Sequence, residues 1–149
     1  MKIAIVGLGA MGGLIAAKLI EANHEVRALA RGKTLAALSE RGLVIEQAHG
    51  QKSLALKASD RPEALGSHDL VIVSVKAPAL PALAATIAHL RGESGVVLTA
   101  MNGVPWWFFH GFGGPCSDLR LKRIDPHGAL DQMIPQSAVL GAVLHMSAS

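Results

Sequence analysis

The sequence predicts an α/β fold, a doubly wound and mostly parallel sheet with helices on both faces. Three observations carry that expectation. Short apolar runs rich in Ile and Val alternate with stretches of helical periodicity, as strands joined by crossover helices do. Several runs are apolar throughout rather than at every second residue, the mark of strands buried on both faces. A glycine-rich turn joins the first run to the first helical stretch. The length of 149 residues fits a single domain spanning 1–149, and half of the chain is hydrophobic, enough for a real core.

Taken in order, Lys2–Val6 reads as a buried central strand. Met11–Glu21 reads as a helix, with Leu14, Ile15, Lys18 and Leu19 at helical spacing. Glu25–Leu29 is the second strand and Thr34–Glu40 a short helix ended by Arg41-Gly42. Leu43–Glu46 and Ser53–Leu56 flank Ala48-His49-Gly50-Gln51 and predict a hairpin. Ser59–Gly66, with Pro62 near its start, reads as a short helical turn. Asp69–Val75 is the strongest strand, and Ala79–Leu90 the cleanest amphipathic helix, with Leu80, Leu83, Ala84, Ile87 and Leu90 on one stripe. Gly95–Ala100 is another buried strand. Asp125-Pro126-His127-Gly128 has type I turn chemistry and joins Leu119–Ile124 to Ala129–Ile134, and Ala138–His145 is the last strand.

Composition excludes several functions. The net charge of +3 comes with Lys and Arg scattered along the chain, without the basic block a nucleic-acid partner needs. All five aromatic residues fall between Trp106 and Phe112, so stacking platforms for bases are not expected either. A single cysteine, Cys116, allows no intrachain disulfide and is read as a plain thiol, which fits a reducing compartment and a cytoplasmic location. The uncharged stretch Ile3–Ala17 could pass for a signal peptide, but Gly7, Gly9, Gly12 and Gly13 argue against export and against a membrane span. The histidines at 24, 49, 68, 89, 110, 127 and 145 show no ligand spacing, so they are read as surface or turn residues and no metal site is expected. Asp60, Glu63 and Asp69 are read as caps and solvated charges.

Gly7-Leu8-Gly9-Ala10-Met11-Gly12 matches GxGxxG between a strand and a helix, with a second strand close behind. Gly7 permits the tight turn. Gly9 lets a pyrophosphate approach the backbone, and Gly12 lets the helix lie close to the strand. Free N–H groups and the positive end of the helix dipole then face the phosphates. After the second strand the chain reads Ala28-Leu29-Ala30-Arg31-Gly32-Lys33, with no carboxylate for a ribose hydroxyl. Arg31 suits a 2′-phosphate, which it can grip with two parallel hydrogen bonds. A hydrogen bond to a charged group is worth roughly 1.5–3 kcal/mol, so NADPH is expected to be preferred over NADH by one to two decades.

The segments MKIAIVGLGAMGG, ALARG, DLVIVSVKAPAL and AMNGV together resemble the ketopantoate reductase (2-dehydropantoate 2-reductase) family. The resemblance covers the whole chain and implies its N-terminal, Rossmann-type NADP-binding domain. It implies NADPH-dependent reduction of ketopantoate to pantoate, toward pantothenate and coenzyme A, with a small keto acid as the partner. It places Gly7, Leu8, Gly9, Ala10, Met11 and Gly12 on the pyrophosphate and Arg31 on the 2′-phosphate. Lys76 and Asn102 would line the cofactor and substrate cleft, and Ala148 would lie near the nicotinamide.

Family members are about twice as long. The resemblance puts the general-acid lysine and a substrate-holding glutamate in a helical C-terminal half, so no catalytic residue is expected in this chain. The chain should bind NADPH and turn over ketopantoate barely or not at all, since hydride transfer leaves an alkoxide that needs a proton and a positive charge. The end at Ser149 would expose apolar surface. Pro105 suits the start of a short helix. The Trp106–Phe109 segment either packs on the sheet or faces the cleft, in which case two copies pair through it. Two further readings stand beside the first. One is the cofactor domain of another 2-keto acid reductase or of a 3-hydroxyacid dehydrogenase. The other is a nucleotide-sensing module without chemistry of its own.

Overall fold

The computed structural model describes residues 1–47 and 50–145. The elements run β1 (Lys2–Val6), α1 (Ala10–Glu21), β2 (Glu25–Leu29), α2 (Gly32–Arg41), β3 (Leu43–Gln47), β4 (Gly50–Leu54), β5 (Lys57–Ser59), β6 (Leu70–Val73), α3 (Ala84–Arg91), β7 (Val96–Ala100), α4 (Ala129–Met133) and β8 (Val139–Ala142). Six of the strands form one sheet in the order β5-β2-β1-β6-β7-β8. Every neighbouring pair in it is parallel. This is the doubly wound Rossmann order, in which the chain builds outward from β1 in one direction and then, from β6, in the other. The switch point lies between β1 and β6. A crevice opens there at the carboxyl ends of the strands.

Alternate residues of β1 enter different cores. Ile3 and Ile5 pack with Ala16 and Ala17 of α1, Val26 and Ala28 of β2 and Leu38 of α2. Ala4 and Val6 pack on the other face with Val71, Val73, Ile87 and Leu90, together with Leu130 and Trp106. Neither face of β1 meets water, so every residue after Lys2 is apolar. Full burial of each such Ile or Val contributes about 1.5–3 kcal/mol. The antiparallel hairpin β3–β4 stands outside the main sheet. Leu43 anchors it in the α1 core, and Lys52 holds Glu21 of α1 at 2.8 Å.

Several elements differ from their sequence reading. The strand expected at Ser53–Leu56 lies earlier, at Gly50–Leu54. The helical turn expected from Ser59 is confined to a 3₁₀ turn at Pro62–Ala64, and Ser59 instead ends β5 on the edge of the main sheet. The helix expected from Ala79 begins at Ala84, preceded by 3₁₀ turns at Ala77–Ala79 and Pro81–Leu83. Pro78 and Pro81 have no N–H for an α-helical ladder. The chain closes shorter bonds instead, from Leu80 N to Ala77 O and from Leu83 N to Leu80 O. The apolar stripe survives, with Leu80, Ala84, Ile87 and Leu90 buried. The strands expected at Asp69–Val75 and Ala138–His145 shorten to β6 and β8.

The helix expected after Pro105 is a run of tight turns, closed by bonds from Phe108 N to Pro105 O, His110 N to Trp107 O and Phe112 N to Phe109 O. The aromatic segment is divided between core and surface. Trp106 is only 4% exposed, whereas Phe108 is 44% exposed, so Trp106 is not available to a partner. The Phe108, Phe109 and Phe112 rings pack on one another with centroids 5.0 to 5.8 Å apart. The expected turn at Asp125–Gly128 is present, with Gly128 N donating to Asp125 O. The Asp125 carboxylate is buried and accepts from Leu130 N and Asp131 N, which caps α4.

The histidines are not all surface residues. His68 is buried, its backbone N donates to Leu90 O, and its Nδ1 lies 3.2 Å from the same oxygen. Burial pushes its pKa below the ordinary histidine value. His110 lies 2.8 Å from an Asp131 carboxylate oxygen. Among the described residues no group of His, Cys, Asp and Glu could hold a metal ion, and Cys116 is exposed. Among them, too, no helix is long and apolar enough to cross a membrane.

Candidate active site at the switch point

The three glycines of the turn do different things. Gly7 has φ +101°, which an L side chain rarely adopts, and a Cβ there would meet Val75 Cγ1 at 2.8 Å. A Cβ on Gly12 would collide with the Gly7 carbonyl oxygen and come within 2.5 Å of Ser74 Oγ. Gly12 is therefore what lets α1 approach the turn. Gly9 differs, because a Cβ there would meet nothing within 4 Å. Packing does not require a glycine at position 9. Its bare backbone borders open space at the start of α1.

Gly9 is the N-cap of α1 and supplies no side-chain hydrogen bond, and the first turn carries no acidic residue. Among the described residues no side chain accepts from the leading N–H groups, and the first turn supplies no counter-charge to the positive end of the helix. Ser74, just past β6, donates its hydroxyl proton to Gly7 O at 2.6 Å, while its backbone N donates to Val6 O at 2.9 Å. Sequence reasoning missed this residue. The available signal was a lone hydroxyl in the otherwise apolar run DLVIVSV.

Two hollows meet at the turn. One, of about 510 Å³, is lined by Gly7, Leu8 and Gly9 at one end and by Arg31, Thr34 and Asp60 at the other. Arg31 is the exposed N-cap of α2 and lines this crevice. The second hollow, of about 380 Å³, is lined by Met11, Ser74, Lys76, Met101, Asn102 and Leu144 among others. It brings together Lys76 after β6 and Asn102 after β7. Lys76 is exposed, and among the described residues no carboxylate pairs with it. Ala10 is exposed at the head of α1 and lines a separate hollow against the β3–β4 hairpin. Ala148 lies outside the described residues.

Asn102 is held by the protein itself. Its Oδ1 accepts from Leu144 N at 2.9 Å and its Nδ2 donates to Leu144 O at 3.1 Å. This two-point clasp pins the chain after β8 at Leu144, which lines the second hollow. An asparagine amide has two N–H bonds, so one remains to offer.

Residues 3–105 match the family model described as Ketopantoate reductase PanE/ApbA. A 2-dehydropantoate 2-reductase of Mesorhizobium japonicum is 43% identical over 148 residues, which is 97% of this chain and 45% of that protein. Another, from Archaeoglobus fulgidus, is 35% identical over 105 residues, 69% of this chain and 33% of that one. Among solved structures, a provisionally assigned ketopantoate reductase from Ralstonia solanacearum MolK2 superposes with a TM-score of 0.90 at 48% identity, covering 97% of this chain and 45% of that chain. The chain spans less than half the length of the relatives it matches.

Proposed function

The chain belongs to the ketopantoate reductase family, and from that premise we propose that it is the NADPH-binding half of a 2-dehydropantoate 2-reductase. Gly9 is the observation that carries this reading. Of the three motif glycines it alone has no steric reason to lack a side chain, and a diphosphate resting on its backbone supplies one. The residues present fit the cofactor. The uncapped N-terminus of α1 offers N–H donors to the diphosphate. Arg31, at the far end of the same crevice, offers its guanidinium to the 2′-phosphate.

When bound, the reduced nicotinamide supplies the hydride. The chain's own residues orient what receives it. Lys76 places a mobile ammonium in the second hollow, where it attracts the carboxylate of a keto acid and the oxygen of its ketone as negative charge develops there. The uncommitted N–H of Asn102 is a fixed donor beside it. We assign both to orienting the keto acid, and the proton of the alkoxide to a group outside these 149 residues. The 149 residues alone therefore bind the dinucleotide and reduce the keto acid slowly or not at all.

Calorimetry of the 149-residue chain with NADPH and NADH tests the reading. Binding of NADPH tighter than NADH by about tenfold to a hundredfold is expected from the Arg31 contact. Absence of heat from both dinucleotides would refute it. Family-like steady-state turnover of ketopantoate by the same protein would refute the dependence on a further domain.

A further inference from the structure

We propose that Asp60 reads the base of the dinucleotide, accepting a hydrogen bond from the adenine 6-amino group. The inference rests on the dinucleotide reading above and assigns a specificity role to a residue outside the glycine turn. β5 is the strand beside β2, with Ser59 opposite Leu29, and Ala30 N donates to Ser59 O at 3.0 Å. Asp60 therefore leaves the sheet next to Ala30, one residue before Arg31, and lines the same crevice. A second bond fixes its turn, from Arg61 N to Ser59 Oγ at 3.0 Å. Among the described residues Asp60 forms none of the ion pairs, so Arg31 does not consume its carboxylate.

The two side chains divide the adenosine between them by charge. Arg31 attracts a phosphate on the ribose, and a carboxylate set on that same phosphate would repel it. Asp60 instead suits a neutral hydrogen donor farther along the crevice, beside Pro62 and Thr34. An ionised carboxylate only accepts hydrogen bonds. Adenine presents an N–H donor at its 6-position, whereas hypoxanthine presents an oxygen there, whose lone pairs face the carboxylate unfavourably. The crevice should thus prefer the 6-amino base to the 6-oxo base.

The test is titration of the 149-residue chain with NADPH, with NADH and with the 6-oxo (hypoxanthine) analogue of NADPH, each against wild type and Asp60→Asn. The wild-type chain should bind NADPH about tenfold tighter than the analogue, as loss of one hydrogen bond to an exposed charged group implies. Asp60→Asn can donate as well as accept, so it should bring the ratio close to one and leave the melting temperature unchanged. An unchanged ratio in Asp60→Asn, or no preference in wild type, overturns the assignment. A variant that shifts only the NADPH-to-NADH ratio shows that the carboxylate reads the ribose, which overturns it too. Absence of binding by either dinucleotide in wild type is a separate outcome, and it removes the dinucleotide reading on which the assignment rests.

Discussion

Replacing Gly9 and Gly12 by alanine one at a time should separate binding from folding. At position 9 the backbone has φ −77° and ψ −172°, open to any L residue, and the added methyl meets nothing within 4 Å. Alanine is a poorer N-cap than glycine, while the unfolded chain loses about 0.4–1 kcal/mol of conformational entropy. These effects nearly cancel, leaving Gly9→Ala within about 0.5 kcal/mol of wild type and its melting temperature within about 2 °C. Its methyl would nonetheless stand where the diphosphate meets the backbone. Loss of one charge-assisted hydrogen bond of about 1.5–3 kcal/mol weakens NADPH by roughly tenfold to a hundredfold. At position 12 the obstacle is the Gly7 carbonyl, which cannot swing aside as a side chain can. An overpacking cost near 3 kcal/mol, less about 1 kcal/mol of helix propensity, leaves a net loss near 2 kcal/mol. That corresponds to a fall of about 4–8 °C in a domain of this size. Scanning fluorimetry and calorimetry on the two variants read both quantities. Wild-type NADPH affinity in a folded Gly9→Ala protein would refute the reasoning, as would an unshifted melting temperature in Gly12→Ala.

Arg31→Ala should weaken NADPH by about tenfold to a hundredfold and leave NADH unchanged, and equal losses for both cofactors would place the guanidinium elsewhere than on the 2′-phosphate. Ser74→Ala removes the bond to Gly7 O, so about 1 kcal/mol of stability and part of the NADPH affinity should go together. Ser74→Thr, which keeps the hydroxyl, should retain more of both, and an alanine variant that binds as wild type would make the bond irrelevant to the turn. His68 has a folded pKa below its ordinary value of 6.5 because burial favours the neutral ring. The unfolded chain therefore takes up a proton first on acidification. The contribution of His68 to stability is present above about pH 6.5 and is lost as pH falls from there toward the lowered folded value. Melting temperatures measured between pH 7.5 and 5 should fall with acid in wild type and fall less in His68→Gln, and parallel curves would exclude this origin.

The central part of the fold was legible because its signals are local. β1, α1, β2 and the turn between them are written as an apolar run, three spaced glycines and a helical stripe. What escaped depends on distant neighbours. Lys57-Ala58-Ser59 has little strand propensity of its own and becomes a strand because β2 offers it an unpaired edge. Reading Ser59–Gly66 as a helical turn leaves Asp60 as a cap or a solvated charge. The end of the second strand carries no acid, and the one that lines the crevice follows the neighbouring strand. The onset of α3 was misplaced for a different reason, since the apolar stripe continues through Pro78 and Pro81 although the hydrogen-bond ladder cannot.

The positions of the candidate residues in the fold were legible in the sequence, and their internal bonds were not. Lys76 and Asn102 lie past the ends of adjacent strands and line one hollow, because parallel strands in register end at a common level. Val6 lies opposite Val73, and Val73 opposite Thr99. The same register sets Ser74 beside Gly7 and lets one hydroxyl hold the carbonyl of a turn far away in sequence. It also lets Asn102 clasp Leu144, the next segment outward. A sliding of β6 against β1 by one residue would reverse its side chains and break the Ser74 contact, and a sliding of β7 against β8 would break the Asn102 clasp. The burial of Val71, Val73 and Val97 that fixes the register therefore also fixes the geometry of the crevice. Core and site are coupled through strand alignment, although no core side chain needs to touch a ligand.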